Sequence, residues 1–384
     1  MVLKASRRGN VPPFIVMDVM RAAAAREAEG ENVLHLEVGQ PATGAPAGVV
    51  AAAREVLGSH PLGYTVANGI PSLRDAIARH YRKAYGQDVD PNRVFVTAGS
   101  SAGFLLGFLA AFDPGDRVAL ASPGYPAYRN ILSALGLEVV DLQVGDETNF
   151  QPTPEMIEAI DGGIDGLIVA SPSNPTGTML SADDLRRLCE TCDQAGIRLI
   201  SDEIYHGITY REPAETALRF TGNAIIINSF SKYFSMTGWR LGWMILPDDL
   251  RRSVECLAQN LFISPPGISQ YAAVTAFDCE AELDANVARY AANREVLLSR
   301  LPAAGLDRLA SADGAFYVYA DVSHLTDDSE AFCRAMLNEA GVAATPGTDF
   351  DPGRGHHFVR FSFAGSTEDM VAATDCLENW LAKG

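Results

Sequence analysis

The chain has 384 residues, 47% of them hydrophobic and 20% charged, which is enough apolar material for two domains with sizeable cores. Its formal net charge of −18 argues against binding to nucleic acids or to anionic membrane surfaces, because both require cationic patches. A small anionic substrate is not excluded, since it needs only a few local arginines.

Targeting signals and cysteine usage indicate the cellular compartment of a protein. Residues 1–14 carry basic side chains but no apolar segment long enough for a signal core, and no later run approaches a membrane span. The six cysteines are scattered, unlike a disulfide framework. Cys189 and Cys192 form a C-x-x-C pair, but it lies in a predicted helix with no second pair to complete a zinc site. These features predict a cytoplasmic protein.

The first two thirds of the chain alternate between predicted helices and strands. In order, the pattern predicts a segment at 10–29 that begins with Val11-Pro12-Pro13-Phe14 and becomes a helix, a strand at 34–38, a loop rich in glycine and proline at 39–46, helices at 49–57 and 72–85, a strand at 93–97, a helix at 102–112, strands at 116–121 and 137–143, a helix at 154–160, a strand at 166–170, a helix at 182–194 and a strand at 197–201. Strands separated by helices of this length indicate right-handed β-α-β units and a mostly parallel sheet.

A turn of small residues, 98–101, joins the strand at 93–97 to the apolar helix that follows. Strand, small-residue turn and helix together favour an anion site, because unpaired N–H groups and the helix dipole both point at the turn. Neither a Walker loop nor a G-x-G-x-x-G fingerprint is present. The glycine spacing at 99, 103 and 107 is by itself more typical of close helix packing.

Polar side chains follow two neighbouring strands at their carboxyl ends, where ligands gather in parallel sheets. Asn174 lies in the segment 171–177 after one strand, and Asp202 and Tyr205 follow the next. As simpler alternatives, an asparagine before proline is a turn former and an aspartate at a strand end is a helix cap.

The segment 228–240 joins two apolar runs, 224–227 and 241–246, that are predicted to be buried strands, and it contains Lys232. The chain has only three other lysines: two lie near the termini, and the third is on the polar side of a predicted helix. Burial lowers the pKa of a lysine and leaves the nucleophilic amine needed for an imine with a carbonyl cofactor. The alternative is a lysine whose ammonium reaches water from a strand end.

The last third predicts a second, smaller unit. It contains a helix at 248–260, a breaker segment at 264–267, a helical region at 268–301 with a break near 279–283, strands at 314–322 and 358–363, and helices at 329–340 and 367–381. We predict a large domain over residues 46–285 and a small α/β domain over residues 1–45 and 286–384. His356 and His357 lack partners at ligand spacing, so no metal site is predicted.

Ser-Phe-Ser-Lys at 229–232, followed by Arg240 within Gly-Trp-Arg-Leu-Gly, resembles the cofactor-lysine signature of the class I/II aminotransferases. These are pyridoxal-phosphate enzymes of fold type I, related to aspartate aminotransferase, and other stretches extend the resemblance over most of the chain. The resemblance implies an α/β fold with a mostly parallel sheet flanked by helices in the large domain and a smaller α/β domain.

The resemblance also implies roles for individual residues. Lys232 becomes the Schiff-base lysine, and Asp202 the carboxylate that keeps the pyridine nitrogen protonated, as an electron sink requires. The remaining cofactor contacts would be Gly99, Ser100, Ser101, Ser229, Ser231 and Arg240 at the phosphate, Tyr125 against the ring, Asn174 and Tyr205 at the ring oxygen, and Tyr64 at the phosphate of the neighbouring subunit. The role of Tyr64 implies a homodimer. Gly39, Asn174 and Arg360 would contact the substrate, with Arg360 binding the α-carboxylate as a fork.

The function implied is transfer of an amino group from an L-amino acid to a 2-oxo acid by a ping-pong mechanism, with pyridoxal 5'-phosphate as cofactor. Two alternatives stay open: a β-eliminating lyase on the same fold, and a non-catalytic protein that senses pyridoxal phosphate. The acidity of the chain argues against the DNA-binding module that such sensors usually carry. The donor's side chain is also left open, since no second arginine can be assigned to a distal carboxylate.

Overall fold

The computed structural model describes residues 3–383 of the protein. The helices in this range are α1 (Ile15–Ala28), α2 (Ala47–Ser59), α3 (Pro71–Tyr85), α4 (Gly99–Ala111), α5 (Pro126–Leu135), α6 (Pro154–Glu158), α7 (Ala182–Ala195), α8 (Arg251–Leu261), α9 (Gly267–Ala273), α10 (Glu280–Arg300), α11 (Ser329–Ala335) and α12 (Thr367–Leu381). The strands are β1 (Leu34–His35), β2 (Val94–Thr97), β3 (Arg117–Ser122), β4 (Glu138–Gln143), β5 (Gly166–Ala170), β6 (Arg198–Asp202), β7 (Ile225–Ser229), β8 (Gly242–Ile245), β9 (Arg308–Leu309), β10 (Tyr317–Asp321), β11 (Val342–Ala343), β12 (Thr345–Pro346) and β13 (Phe358–Ser362).

The larger sheet has seven strands in the order β2-β8-β7-β6-β5-β3-β4. Strand β8 runs antiparallel to the other six strands, which all point in the same direction. The central strands β5 to β7 are almost entirely buried, as expected for parallel strands covered on both faces. The predicted α/β fold with a mostly parallel sheet flanked by helices is confirmed.

Helix α4 packs closely on this sheet through its glycines. A Cβ atom at Gly103 or Gly107 would lie 3.3 Å from the side chain of Met244, which is closer than an ordinary contact and would require that side chain to shift. Both glycines therefore serve helix packing, which the spacing alone favours. Gly99, at the start of the same helix, has a different environment and belongs to the site.

The smaller sheet is antiparallel, with the order β12-β13-β10-β9, and β1 pairs with β11 in a separate two-stranded sheet. A second apolar cluster, which includes Phe316, Val318 and Phe361, packs this sheet against α10 and α12. The boundaries predicted for the two domains, at 45/46 and 285/286, stay a prediction.

Several helices start one to three residues away from the predicted position, and one of these differences bears on the site. Helix α1 begins at Ile15, directly after Val11-Pro12-Pro13-Phe14, because Pro12 and Pro13 have no N–H to donate and restrict the residue before each of them. Helix α4 begins at Gly99 rather than at residue 102, so Ser100 and Ser101 lie in its first turn, where N–H groups are free. Within residues 3–383, no helix combines the length and apolar character that crossing a membrane requires.

Candidate active site

A cleft of about 420 Å³ lies where the carboxyl ends of the parallel strands meet the smaller sheet. Of the predicted site residues, eleven line it: Gly39, Ser100, Ser101, Tyr125, Asn174, Asp202, Tyr205, Ser231, Lys232, Arg240 and Arg360. Gly99 lies immediately behind Arg240. Ser229 and Tyr64 are not part of its lining. The structure thus brings together side chains that lie in β6 and β13 or directly after β5 and β7, which the sequence separates widely.

Lys232 follows β7 and turns its amine into the cleft. Its Nζ donates a hydrogen bond to the carbonyl oxygen of Gly39 at 2.7 Å, so the ammonium does not extend to bulk water. Burial, reinforced by the positive charges of Arg360 and Arg240, lowers the pKa of Lys232 to about 8, although Asp202 opposes the shift. A neutral amine is therefore accessible near neutral pH, as a nucleophile or base requires.

Asp202 ends β6 and is buried. Its carboxylate accepts hydrogen bonds from the hydroxyl of Tyr128 and from the amide of Ile204, the latter at 3.0 Å. Burial raises the pKa of Asp202 to about 6, while these two donors and the charge of Lys232 limit the rise. The group is still mainly ionised at neutral pH. Tyr128 was not singled out from the sequence, although it lies three residues after Tyr125, at a spacing that puts both on one side of α5.

Tyr205 is held by a residue that the sequence analysis did not identify, Tyr317 on β10. Their hydroxyl oxygens are 2.7 Å apart, and the ring of Tyr205 lies 5.7 Å from Nζ of Lys232. A Cβ atom at Gly39 would overlap the hydroxyl of Tyr317, so this position requires glycine. Tyr317 thus fixes the spacing between the Gly39 loop and the tyrosine beside the lysine.

Arg360 on β13 is buried and stacked between two aromatic rings, with its guanidinium carbon 4.4 Å from the ring centroid of Tyr317 and 4.7 Å from that of Phe350. Its Nη1 donates to Oδ1 of Asn174 at 2.8 Å, and its Nη2 donates to the carbonyl oxygen of Glu37. Its Nε is buried without a hydrogen-bond partner in the described part of the chain. An unsatisfied donor on a buried guanidinium suits a carboxylate ligand.

The first turn of α4 and the guanidinium of Arg240 form an anion-binding corner. Gly99 has a φ of +76°, and a Cβ atom there would collide with the guanidinium, so glycine lets Arg240 approach the helix start. Ser231 faces the cleft, whereas the hydroxyl of Ser229 donates to the carbonyl oxygen of Leu241 at 3.3 Å and accepts from the amide of Ser231 at 3.0 Å.

These donors fit a phosphate, because they combine a guanidinium, hydroxyls and the free N–H groups of a helix N-terminus. The corner shares its cleft with a carboxylate, Asp202, and with an amine of lowered pKa, Lys232. A phosphorylated pyridine aldehyde has a matching set of groups: a phosphate, a ring nitrogen and a carbonyl carbon. The residues present therefore fit pyridoxal 5'-phosphate.

The remaining candidates lie outside the cleft. Tyr64 is 84% exposed, in the loop between α2 and α3. His206 faces away from the cleft, with its ring nitrogens 2.9 Å from the hydroxyl of Tyr85 and 3.0 Å from the carbonyl oxygen of Ser171. Cys189 and Cys192 are buried in α7, and burial raises the pKa of each thiol to about 12, so both stay protonated.

Comparisons with known proteins agree with this geometry. Residues 31–374 match the sequence model of the family described as aminotransferase class I and II. A valine–pyruvate aminotransferase of Mycobacterium tuberculosis is 54% identical over 378 residues, which cover 97% of each chain. A crystal structure of an aminotransferase from the same organism superimposes with a TM-score of 0.98 at 53% identity and covers 100% of both chains. Aspartate aminotransferase of Thermus thermophilus with maleate gives a TM-score of 0.93 at 31% identity, over 98% of this chain and 100% of that one.

Proposed function

The chain belongs to the class I and II aminotransferase family, and on that basis we propose that it transfers the amino group of L-valine to pyruvate. Pyridoxal-phosphate-dependent aminotransferase activity follows from the family and from its relatives. The identity of the amino donor is proposed in addition to this shared activity. It is supported by the activity named for the mycobacterial relative and by the walls of the cleft.

The observation that carries the choice of donor is the apolar wall formed by Val16, Met17 and Met20 of α1 together with Val38. A branched aliphatic side chain gains free energy by leaving water for such a wall, at roughly 25 cal/mol per Å² of apolar surface. In residues 3–383, the cations that line the cleft are Lys232, Arg240 and Arg360. Because the α-carboxylate and the phosphate need the two arginines, no arginine of the same chain's cleft lining remains for the distal carboxylate of an acidic donor.

We propose the following residues as cofactor ligands: Lys232 as covalent anchor, Asp202 at the ring nitrogen, Asn174 and Tyr205 at the ring oxygen, Tyr125 against the ring, and Gly99, Ser100, Ser101, Ser229, Ser231 and Arg240 at the phosphate. When bound, pyridoxal phosphate supplies an electron-poor ring that accepts the electron pair released at the donor's α-carbon. Asp202 contributes a carboxylate that is mainly ionised at neutral pH, which favours a protonated ring nitrogen.

Substrate positioning falls to Gly39, Asn174 and Arg360. Arg360 holds the α-carboxylate, and its stacking between two rings fixes the plane of the guanidinium before substrate arrives. Nζ of Lys232 then accepts the proton from the donor's α-carbon, and its lowered pKa keeps the neutral amine available for this step. The carbonyl of Gly39 accepts a hydrogen bond from this amine and thereby orients it.

We further propose that the protein is a homodimer that acts in the cytoplasm. Tyr64, Val66, Leu261 and Ile263 are each at least half exposed, with 50% for Leu261 as the lowest value. Exposed large apolar side chains of this kind favour burial in an interface. In the proposed dimer Tyr64 reaches the phosphate site of the neighbouring subunit, which accounts for its absence from the lining of its own chain's cleft.

Absorbance spectroscopy of the purified protein tests the proposed function. The cofactor band should be altered by borohydride and be absent from Lys232→Ala. L-valine added without any oxo acid should convert it to the spectrum of the amine form of the cofactor and release the matching branched 2-oxo acid. Pyruvate should then restore the original spectrum and yield L-alanine. Release of pyruvate and ammonia from L-serine would instead establish a lyase, and binding of amino acids without turnover would establish a sensor.

A further inference from the structure

We propose that Asp349 is a positioning residue that sets the donor specificity of the cleft by anchoring helix α1. The proposal rests on the proposed function, because it takes the apolar face of α1 as the surface that receives the donor's side chain. Asp349 lines the cleft but touches neither the anion-binding corner nor the lysine; its carboxylate is committed to the start of α1.

Helix α1 lacks a cap of its own. Phe14 occupies the N-cap position with an extended backbone, and its phenyl side chain offers no hydrogen-bond acceptor. The carboxylate of Asp349 accepts from the amides of Ile15 at 2.9 Å and Val16 at 3.3 Å. The cap thus comes from a residue 334 positions later in the chain. A negative charge at a helix N-terminus also interacts favourably with the helix dipole.

The body of α1 is attached only lightly, so this anchor matters for its position. Ala23 is its single fully buried residue, packed in a small cluster with Val33, Leu337 and Ala343. Val16, Met17 and Met20 recur at a spacing that puts them on one side of the helix, and all three line the cleft. A shift at the start of α1 therefore moves the surface that meets the donor's side chain.

The segment that carries Asp349 is itself rigid and adjoins the carboxylate site. Gly347 and Gly355 pack so closely that neither position leaves room for a Cβ atom. The next residue, Phe350, stacks on Arg360, and its carbonyl oxygen accepts from the amide of Gly124 at 3.1 Å. Asp349 consequently fixes the position of α1 relative to the site of the α-carboxylate. The distance between these two features determines the size of the donor side chain that fits.

Steady-state kinetics on the holoenzyme separate this role from a general structural one. For Asp349→Ala we expect the KM for L-valine to rise about fivefold, as loss of a helix cap implies, with kcat changed less than about twofold. The KM for L-alanine, the donor of the reverse reaction, should change less than about twofold, because a methyl group makes little contact with α1. Asp349→Asn keeps one of the two capping oxygens and should bring the KM for L-valine to within about twofold of that of the unmodified protein.

Limited trypsin digestion provides a readout that does not depend on turnover. Arg21 and Arg26 lie in α1, and Asp349→Ala should be cleaved there about threefold faster than the unmodified protein, whereas Asp349→Asn should not. The matched control is Ser181→Ala, which removes the cap of α7, where Oγ of Ser181 accepts from the amide of Asp184 at 3.1 Å. This control should change neither the cleavage of α1 nor the KM for L-valine.

An equal rise in the KM for L-valine and L-alanine in Asp349→Ala would overturn the proposal, as would cleavage of α1 at an unchanged rate. Failure of the proposed function would give a different experimental result. In that case the unmodified protein does not transaminate L-valine, while digestion of α1 still reports whether Asp349 anchors the helix.

Discussion

Replacing Glu203 with glutamine should make the protein more stable at alkaline pH. Glu203 follows Asp202 in the sequence and is buried. Its Oε1 accepts hydrogen bonds from the hydroxyl of Thr216 at 2.9 Å, from the amide of Ala217 at 3.0 Å and from the hydroxyl of Ser201 at 3.2 Å. Despite these donors, burial raises the pKa of Glu203 to about 8. The nearby His206 cannot supply a counter-charge, since burial lowers its pKa to about 3.

The magnitude follows from linkage between protonation and folding. The unfolded chain releases this proton near the ordinary pKa of 4.5, whereas the folded chain retains it to about pH 8. Between these values the folded state binds more protons, so the free energy of unfolding falls as pH rises through the window. The difference of about 3.5 between the two pKa values corresponds to a loss of about 5 kcal/mol, complete above about pH 8.

Glutamine is the matched replacement because it is neutral at every pH and has the same shape. Its oxygen can accept from the same three donors, and its amide can donate to the hydroxyl of Tyr81, which lies 3.4 Å from Oε2 of Glu203. Glu203→Gln should therefore match the unmodified protein to within about 1 kcal/mol near pH 5, and exceed its stability by up to about 5 kcal/mol near pH 9.

Urea unfolding of both proteins at several values of pH measures this difference, and other titrating groups cancel in the comparison. The exposed Glu29→Gln serves as control and should show no difference that depends on pH. A constant difference between Glu203→Gln and the unmodified protein from about pH 5 to about pH 9 would refute the reasoning, because it would mean that the three donors hold Glu203 ionised throughout.

Three further predictions concern the site and its surroundings. Tyr128→Phe removes a hydrogen-bond donor from Asp202 and should raise the pKa of that carboxyl above about 6. In a pH–rate profile, kcat/KM of the variant should therefore begin to fall at a pH about one unit higher than that of the unmodified protein. Gly99→Ala forces a Cβ atom against Arg240 and should weaken binding of pyridoxal phosphate about tenfold or more, as measured by absorbance titration of the apoprotein. Hydrogen bonds to Glu37 and Glu27 raise the pKa of His35 to about 9, so its contribution to stability is complete below about pH 6.5 and is lost as pH rises through 9. Because the ring is partly exposed, we expect this contribution to be only about 1 kcal/mol. Measuring the free energy of unfolding of His35→Gln and the unmodified protein against pH tests it.

The parts of the fold and site that the sequence predicts are those with a local signal. The central strands contain continuous apolar runs, and helices such as α7 and α12 repeat their apolar residues at helical spacing. The bounds of these two helices are predicted to within one residue. Lys232 stands out because lysines are scarce and its flanks are apolar. Assigning it to a cofactor, however, depends on the resemblance to a known family and not on these patterns alone.

The parts that could not be predicted are contacts between distant residues. Asn174 and Arg360 each carry a sequence signal, but their hydrogen bond spans 186 positions and leaves no pattern in either segment. The carbonyl of Glu37 holds Arg360 through backbone atoms, which every residue type possesses. Tyr317 looks like any aromatic residue of a buried strand. For such residues the function is created by the packing of the two sheets, and the local sequence records only that they are buried.

Helix α1 is attached at both ends to residues that also support Arg360, and this connection has a consequence for specificity. At its start Asp349 caps the helix, and the adjacent Phe350 stacks on the guanidinium. Near its end Glu27 pairs with His35, which pairs with the side chain of Glu37, the residue whose carbonyl oxygen accepts from Arg360. Substitutions on the cleft-facing side of α1 can therefore change which donor fits while the carboxylate site keeps its geometry, since the anchors are separate from the apolar wall. Replacing Asp349 should instead displace the wall and leave the carboxylate site in place, because Phe350 keeps its contact with the guanidinium. At the other end of the helix, double-mutant cycles between Glu27 and Arg360 would measure the coupling through His35 and Glu37.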